Sequence, residues 1–118
     1  MNNKQLNEHL KAIQYELSHA ESKHPKFCYC FDSDTTILNY RETKKSLVKY
    51  AQASNDKLTQ EEKLGAMDIL YEEFHEACLA YAEGDLSHCL QELAQCGAVI
   101  LRTMDFVKNE MEKKNEVR

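Results

Sequence analysis

The chain has 118 residues, 20 of them acidic against 15 Lys or Arg, for a formal net charge of -5; one proline, three glycines and no tryptophan leave it short of turn formers. That length suits one domain able to bury a core unaided, and the composition excludes an all-β fold and favours long helices. The acidic balance argues against non-specific nucleic-acid binding, which needs clustered Lys and Arg, and no run reaches the roughly 20 apolar residues of a membrane span.

The opening MNNKQLNEHL has no apolar signal core, so a soluble, unexported chain is expected. From Asn3 to about Ser22, Leu6, Leu10, Ile13, Leu17 and Ala20 recur at steps of three and four, which predicts a first helix with one apolar stripe. Pro25 ends it, because proline lacks the backbone donor and biases His24 away from helical angles. In HPKFCYCF, Phe27, Tyr29 and Phe31 are expected to tuck into the core. His24, Cys28 and Cys30 form the one metal-like cluster, although zinc cysteines are usually spaced by two to four residues, and local packing competes as a reading. The five cysteines are odd in number and irregular in spacing; Cys78, Cys89 and Cys96 lie within helical patterns as small hydrophobes, which fits a reducing, cytoplasmic setting.

Asp32, Ser33 or Asp34 is expected to cap a second helix over about 34–53, with SNDK after it as a polar linker. TQEE has the capping-box form, pairing Thr59 with Glu62, so a third helix is placed from Gln60 to about Glu83 with Met67, Leu70, Phe74, Ala77 and Tyr81 as its stripe. Gly84 suits a left-handed helix stop and Asp85 the cap of a fourth helix. Leu86, Leu90, Leu93, Gly97, Ile100, Met104, Val107 and Met111 then alternate steps of four and three. Helices three and four are expected to form an antiparallel hairpin, with Gly97 admitting a close neighbour. Residues 109–118 are read as a fraying, solvated helix end, and the whole chain as a single all-α domain.

Acidic residues flank these patterns. At 100° per residue, Glu73 and Glu76 share a face of helix three with Ile69 and Ala80, and Glu92 and Gln95 share a face of helix four with His88 and Val99. Carboxylates that converge repel one another and are costly to desolvate, so they need raised pKa values or a bound cation, for which a hard, oxygen-seeking metal is the natural partner. The competing reading is that these residues are simply the wet faces of amphipathic helices. His75 and His88 are read as surface histidines and Tyr71 and Phe74 as core aromatics, against alternative roles in proton transfer and base stacking.

EEFHE at 72–76, followed after 15 residues by ELAQ, resembles the EExxE…ExxD signature of the MazG-like all-α nucleoside triphosphate pyrophosphohydrolases, and the Gly-Asp turn between the helices is similar. ELAQCGAVILRTMDF also resembles the last core helix of phage and prophage members, where an EL-x-Q version is found, and KHPKF resembles their sequences before the second helix. The resemblance covers about residues 23–108. It implies a four-helix bundle completed by dimerisation or tetramerisation, with magnesium or manganese held by Glu73, Glu76, Glu92 and Gln95, and Glu72 orienting or deprotonating water. A nucleoside triphosphate is the implied substrate, cleaved at the α-phosphorus to release pyrophosphate, with Arg102, Arg41 and Lys45 (and Lys44 beside it) as candidates to neutralise the leaving group. Gln95 stands where the signature has Asp, which removes one negative charge from the site. The alternative is a non-catalytic helical accessory protein of a phage or mobile element.

Overall fold

The structure, a computed structural model, describes residues 1–25 and 30–117, with side chains to 116. Its described residues form four helices and no strand: α1 (Asn3–Lys23), α2 (Tyr40–Gln60), α3 (Ala66–Ala82) and α4 (Leu86–Val117). Phe27, Cys28 and Tyr29, expected to pack locally or to contribute to a metal cluster, lie outside the described residues; Cys30 is exposed. No helix among the described residues is long and apolar enough to cross a membrane. The chain divides into two compact units, one of Met1–Phe31 with Ile100–Arg118, the other of Asp32–Val99.

In the first unit, α1 begins with a reciprocal cap: the Asn2 side chain accepts from the Gln5 backbone at 2.9 Å and Gln5 Oε1 accepts from the Asn2 backbone at 2.7 Å. The helix stops one residue beyond the expected end, immediately before His24 and Pro25. Its face toward the C-terminal part of α4 carries His9, buried, whose Nε2 bonds Asp105 Oδ1 at 3.1 Å, while Lys108 donates to Glu8 at 2.6 Å. Numbers rise on one helix as they fall on the other, so the two run antiparallel. The expected stripe is displaced: Leu10, Ile13 and Leu17 are exposed, because the face that meets α4 is built on His9.

The second unit departs from expectation at both ends of α2. Residues 32–39 are tight turns, with Thr35 N–H donating to Asp32 O and Ile37 N–H to Asp34 O, and Asn39 is left-handed at φ 74°, so the helix cannot begin at 34. Asp32 instead accepts the Tyr40 hydroxyl at 2.9 Å. At the far end SNDK is helical rather than a linker, because its Asn55 finds partners on α3 and Leu58 continues the stripe of Val48 and Ala51. The capping box is absent. Thr59 donates to Asn55 O at 2.7 Å, and Glu62, left-handed at φ 57°, ends α2 with Lys63 N–H bonding back to Leu58 O. Helix α3 therefore starts at Ala66, with the Asp68 carboxylate accepting the Gly65 N–H at 3.0 Å.

The turn into α4 follows its residues. Gly84 takes φ 77°, Asp85 N–H reaches back to Ala80 O, and the Asp85 side chain accepts from the His88 backbone at 3.0 Å. The buried apolar residues of this unit are mostly small: Val48, Ala51, Ala77, Cys78, Ala80, Cys89 and Cys96, with Tyr40. The large side chains of the expected stripes are outside instead, Met67 and Phe74 on α3 and Leu86, Leu90 and Leu93 on α4 all being exposed. Small residues let helices approach closely, so the contact face of α4 is the line of Cys89, Glu92 and Cys96. A Cβ on Gly97 would meet nothing within 4 Å, so no neighbour approaches there in the single chain.

Candidate functional site

The acidic residues come together within the second unit. Glu72, Glu73 and Glu76 each offer a carboxylate oxygen, all within 4.8 Å of one another. Glu92, reached from α4, lies close enough to Glu73 and Glu76 to perturb both and is itself 5% exposed. The antiparallel turn at Gly84 produces this meeting, since Glu73 lies eleven residues before it and Gln95 eleven after. A buried carboxylate on α4 and half-buried ones on α3 are therefore one layer, not separate wet faces.

Each carboxylate has a donor from the chain. Asn55 donates to Glu72 at 3.0 Å and also to the Asp68 carbonyl; Gln52 donates to Glu76 at 3.3 Å. His88 Nε2 bonds Glu92 Oε1 at 3.0 Å, one turn along α4. Gln95 satisfies its surroundings with its nitrogen turned inward, donating to Glu73 Oε2 and, at 3.0 Å, to Glu92 Oε2; the opposite amide orientation would set oxygen against oxygen.

Crowding shows in the protonation of these groups. Burial, then the hydrogen bond and charge of Glu92, push the Glu73 carboxyl up to about 7. Burial also raises Glu76, against the lowering effect of its bonds to Glu92 and Gln52. At neutral pH Glu73 is therefore only partly ionised. The donor set is entirely oxygen and rich in carboxylate, which suits a hard divalent cation, and its compactness suits a single ion.

A groove of about 350 Å³ opens beside the layer, lined by Val48, Gln52, Glu76, Leu79, Ala80, Glu83, Asp85 and His88. On α2, Lys45 and Arg41 precede Gln52 by seven and eleven residues, which puts each within about 20° of Gln52, on opposite sides of it, and all three within about 40° on one helical stripe. Both cations are exposed; Arg41 lies 3.2 Å from Glu42. Arg102 is exposed on the part of α4 that belongs to the first unit.

His88 is exposed, as expected, but His75 and the two aromatics differ from their sequence reading. His75 is buried, not on the surface: Tyr71 and Phe74 set ring edges against it at 4.4 and 5.1 Å between centroids, and Lys44 Nζ lies 3.4 Å from its Nδ1. Burial, then the Lys44 charge, lower its pKa, so it is neutral and Nδ1 accepts. Tyr71 and Phe74 are themselves partly exposed, not core. Asn55 lies beyond the expected end of the second helix at about 53, whereas Gln52 lies inside it and had no acidic partner in sequence to mark it; their helical spacing of three, facing Glu76 and Glu72, was the signal available. No protein-family model, curated protein or solved structure matches this chain.

Proposed function

We propose that the chain is a magnesium-dependent, MazG-like nucleoside triphosphate pyrophosphohydrolase that works as a homodimer or homotetramer. The observation that carries this reading is the convergence of Glu72, Glu73 and Glu76 to within 4.8 Å, joined by the buried Glu92. Four carboxylates from two helices have too little counter-charge in the chain, since among the described residues His88 is the one ionisable base paired with them. A divalent cation answers that deficit.

Glu73, Glu76 and Glu92 would hold the ion. Magnesium, or manganese, supplies polarisation of phosphate oxygens and a lowered pKa for a bound water. Glu72, held by Asn55, takes the proton of the water that attacks the α-phosphorus; an oxygen–phosphorus bond forms and the bond to the pyrophosphate oxygen breaks, leaving the monophosphate. Lys45 and Arg41 supply positive charge for the departing pyrophosphate from the Gln52 stripe. Exposed Leu86, Leu90 and Leu93 on α4, with Met67 and Phe74 on α3, support assembly, because a chain with such a face uncovered gains by burying it against a copy of itself.

The test is pyrophosphate release from the common nucleoside triphosphates with magnesium and with manganese. Metal-dependent release that Glu76→Gln abolishes is the expected result, and no release from any of them counts against the enzyme. A second reading, a non-catalytic accessory protein of a phage or mobile element, is favoured by one observation: every carboxylate of the layer already accepts from an amide or imidazole of the chain.

A further inference from the structure

From Leu86 to Met111 the apolar positions of α4 alternate steps of four and three without a break, a strict repeat of 3.5 residues over more than three heptads. A straight helix drifts about 20° per heptad from such a repeat, so the pattern fits a partner helix that supercoils with α4. Among the described residues none covers the row: Leu86, Leu90, Leu93, Ile100, Val107 and Met111 are all exposed, and a Cβ on Gly97, near its middle, would meet nothing within 4 Å. The six exposed side chains present roughly 600 Å² per copy, so pairing two rows removes on the order of 1,200 Å², the lower end of a stable interface.

Charge and shape both point to a second copy as the occupant. The positions that flank the row, Ser87, Cys89, Ala94, Cys96, Leu101 and Thr103, carry no charge, so two chains of net charge -5 can meet here without opposing like charges. The row is also self-complementary when reversed. About a two-fold axis between residues 97 and 100, Leu90 meets Val107 of the partner subunit, Leu93 meets Met104 of the partner subunit, and Gly97 receives Ile100 of the partner subunit. A parallel pair in register would set glycine against glycine and leave a void. We propose that α4 is a dimer seam, pairing antiparallel with α4 of a second copy in a left-handed coiled coil centred between Gly97 and Ile100. This pairing rests on the homo-oligomer part of the function proposed above and not on its metal or its reaction.

The experiment combines sedimentation velocity of the wild-type chain with cross-linking by a short bismaleimide in a full-length Cys28→Ser, Cys30→Ser background. Residues 90 and 107 lie roughly 25 Å apart along one helix, too far for the reagent to join them within a chain or to join like positions across an antiparallel pair. The double variant Leu90→Cys with Val107→Cys is therefore expected to cross-link into dimers, at least roughly tenfold more than Leu90→Cys or Val107→Cys alone. Single variants that cross-link as well as the double overturn the antiparallel seam. A wild-type dimer whose three variants stay dimeric and uncross-linked uses another face, which overturns the seam while leaving self-association intact. Variants that dissociate while the wild type stays dimeric support the seam on α4. A wild-type chain that sediments as a monomer overturns both the seam and the homo-oligomer part of the proposed function.

Discussion

At the scale of single residues, the acidic layer makes stability depend on pH in a direction that an ordinary salt bridge would not produce. The folded-state pKa of Glu73 is raised from 4.5 to about 7, so its neutral form is the one that folding favours. Its contribution is fully present below 4.5 and is lost as the pH rises through about 7. The melting temperature of the chelator-treated protein is therefore expected to fall across that window, Glu73→Gln to flatten the fall, and magnesium to offset it by binding the ionised form. A wild-type melting temperature that holds or rises there would show that the carboxyl is not crowded. Asp32 behaves oppositely. Its bond from the Tyr40 hydroxyl, then the Asp34 backbone, hold its pKa below the ordinary 3.8, so it adds stability above that value which is lost as the pH falls through the folded pKa. Tyr40→Phe should shallow the acid side of the stability curve, as read by denaturant melts.

At the scale of helices, the stops are set by two left-handed residues of different cost. Gly84 bears φ 77° without a side chain, and a Cβ there would touch nothing within 4 Å, so Gly84→Ala isolates backbone strain. A loss of about 1 kcal/mol in urea unfolding is expected, from the crowding of Cβ with the following carbonyl. Glu62 carries the same strain at φ 57°, so Glu62→Gly should be neutral or stabilising by up to about 1 kcal/mol. Destabilisation by Glu62→Gly comparable to that of Gly84→Ala would mean that Glu62 makes contacts which outweigh its backbone. The same residue explains why the sequence reading of this region slipped: Thr59 and Glu62 have the spacing of a helix start, and the chain uses them as a helix end.

At the scale of the molecule, the fully buried apolar residues of the 32–99 unit are alanine, cysteine, valine and Tyr40, while Met67, Phe74, Leu86, Leu90 and Leu93 are left outside. Burying a leucine is worth about 1.5–3 kcal/mol, so a shared face containing Leu86, Leu90 and Leu93 is a substantial drive to self-association. Sedimentation velocity at micromolar concentration is expected to show a dimer or larger, and Leu90→Glu to weaken it by at least roughly tenfold. A wild-type chain that sediments strictly as a monomer would require another occupant for that face.

What the sequence determined by itself was local. Four helices, the proline stop after α1, the Gly84–Asp85 reversal, and the pairing of Glu73 with Glu76 and of Glu92 with Gln95 on common faces all follow from steps of three and four and from the angles that Pro, Gly and Asp prefer. The tertiary structure decided which face each helix turns inward. Periodicity says that an apolar stripe exists, yet burial depends on what another helix offers, and here small side chains with a satisfied carboxylate pack more closely than leucines would. Asn55 and Leu58 kept α2 helical through a stretch whose own residues favour a turn, because α3 supplies the partners. Whether Gln95 turns its oxygen or its nitrogen to Glu73 and Glu92 was likewise beyond any spacing rule, since that choice is set by the charge of the groups across the helix interface.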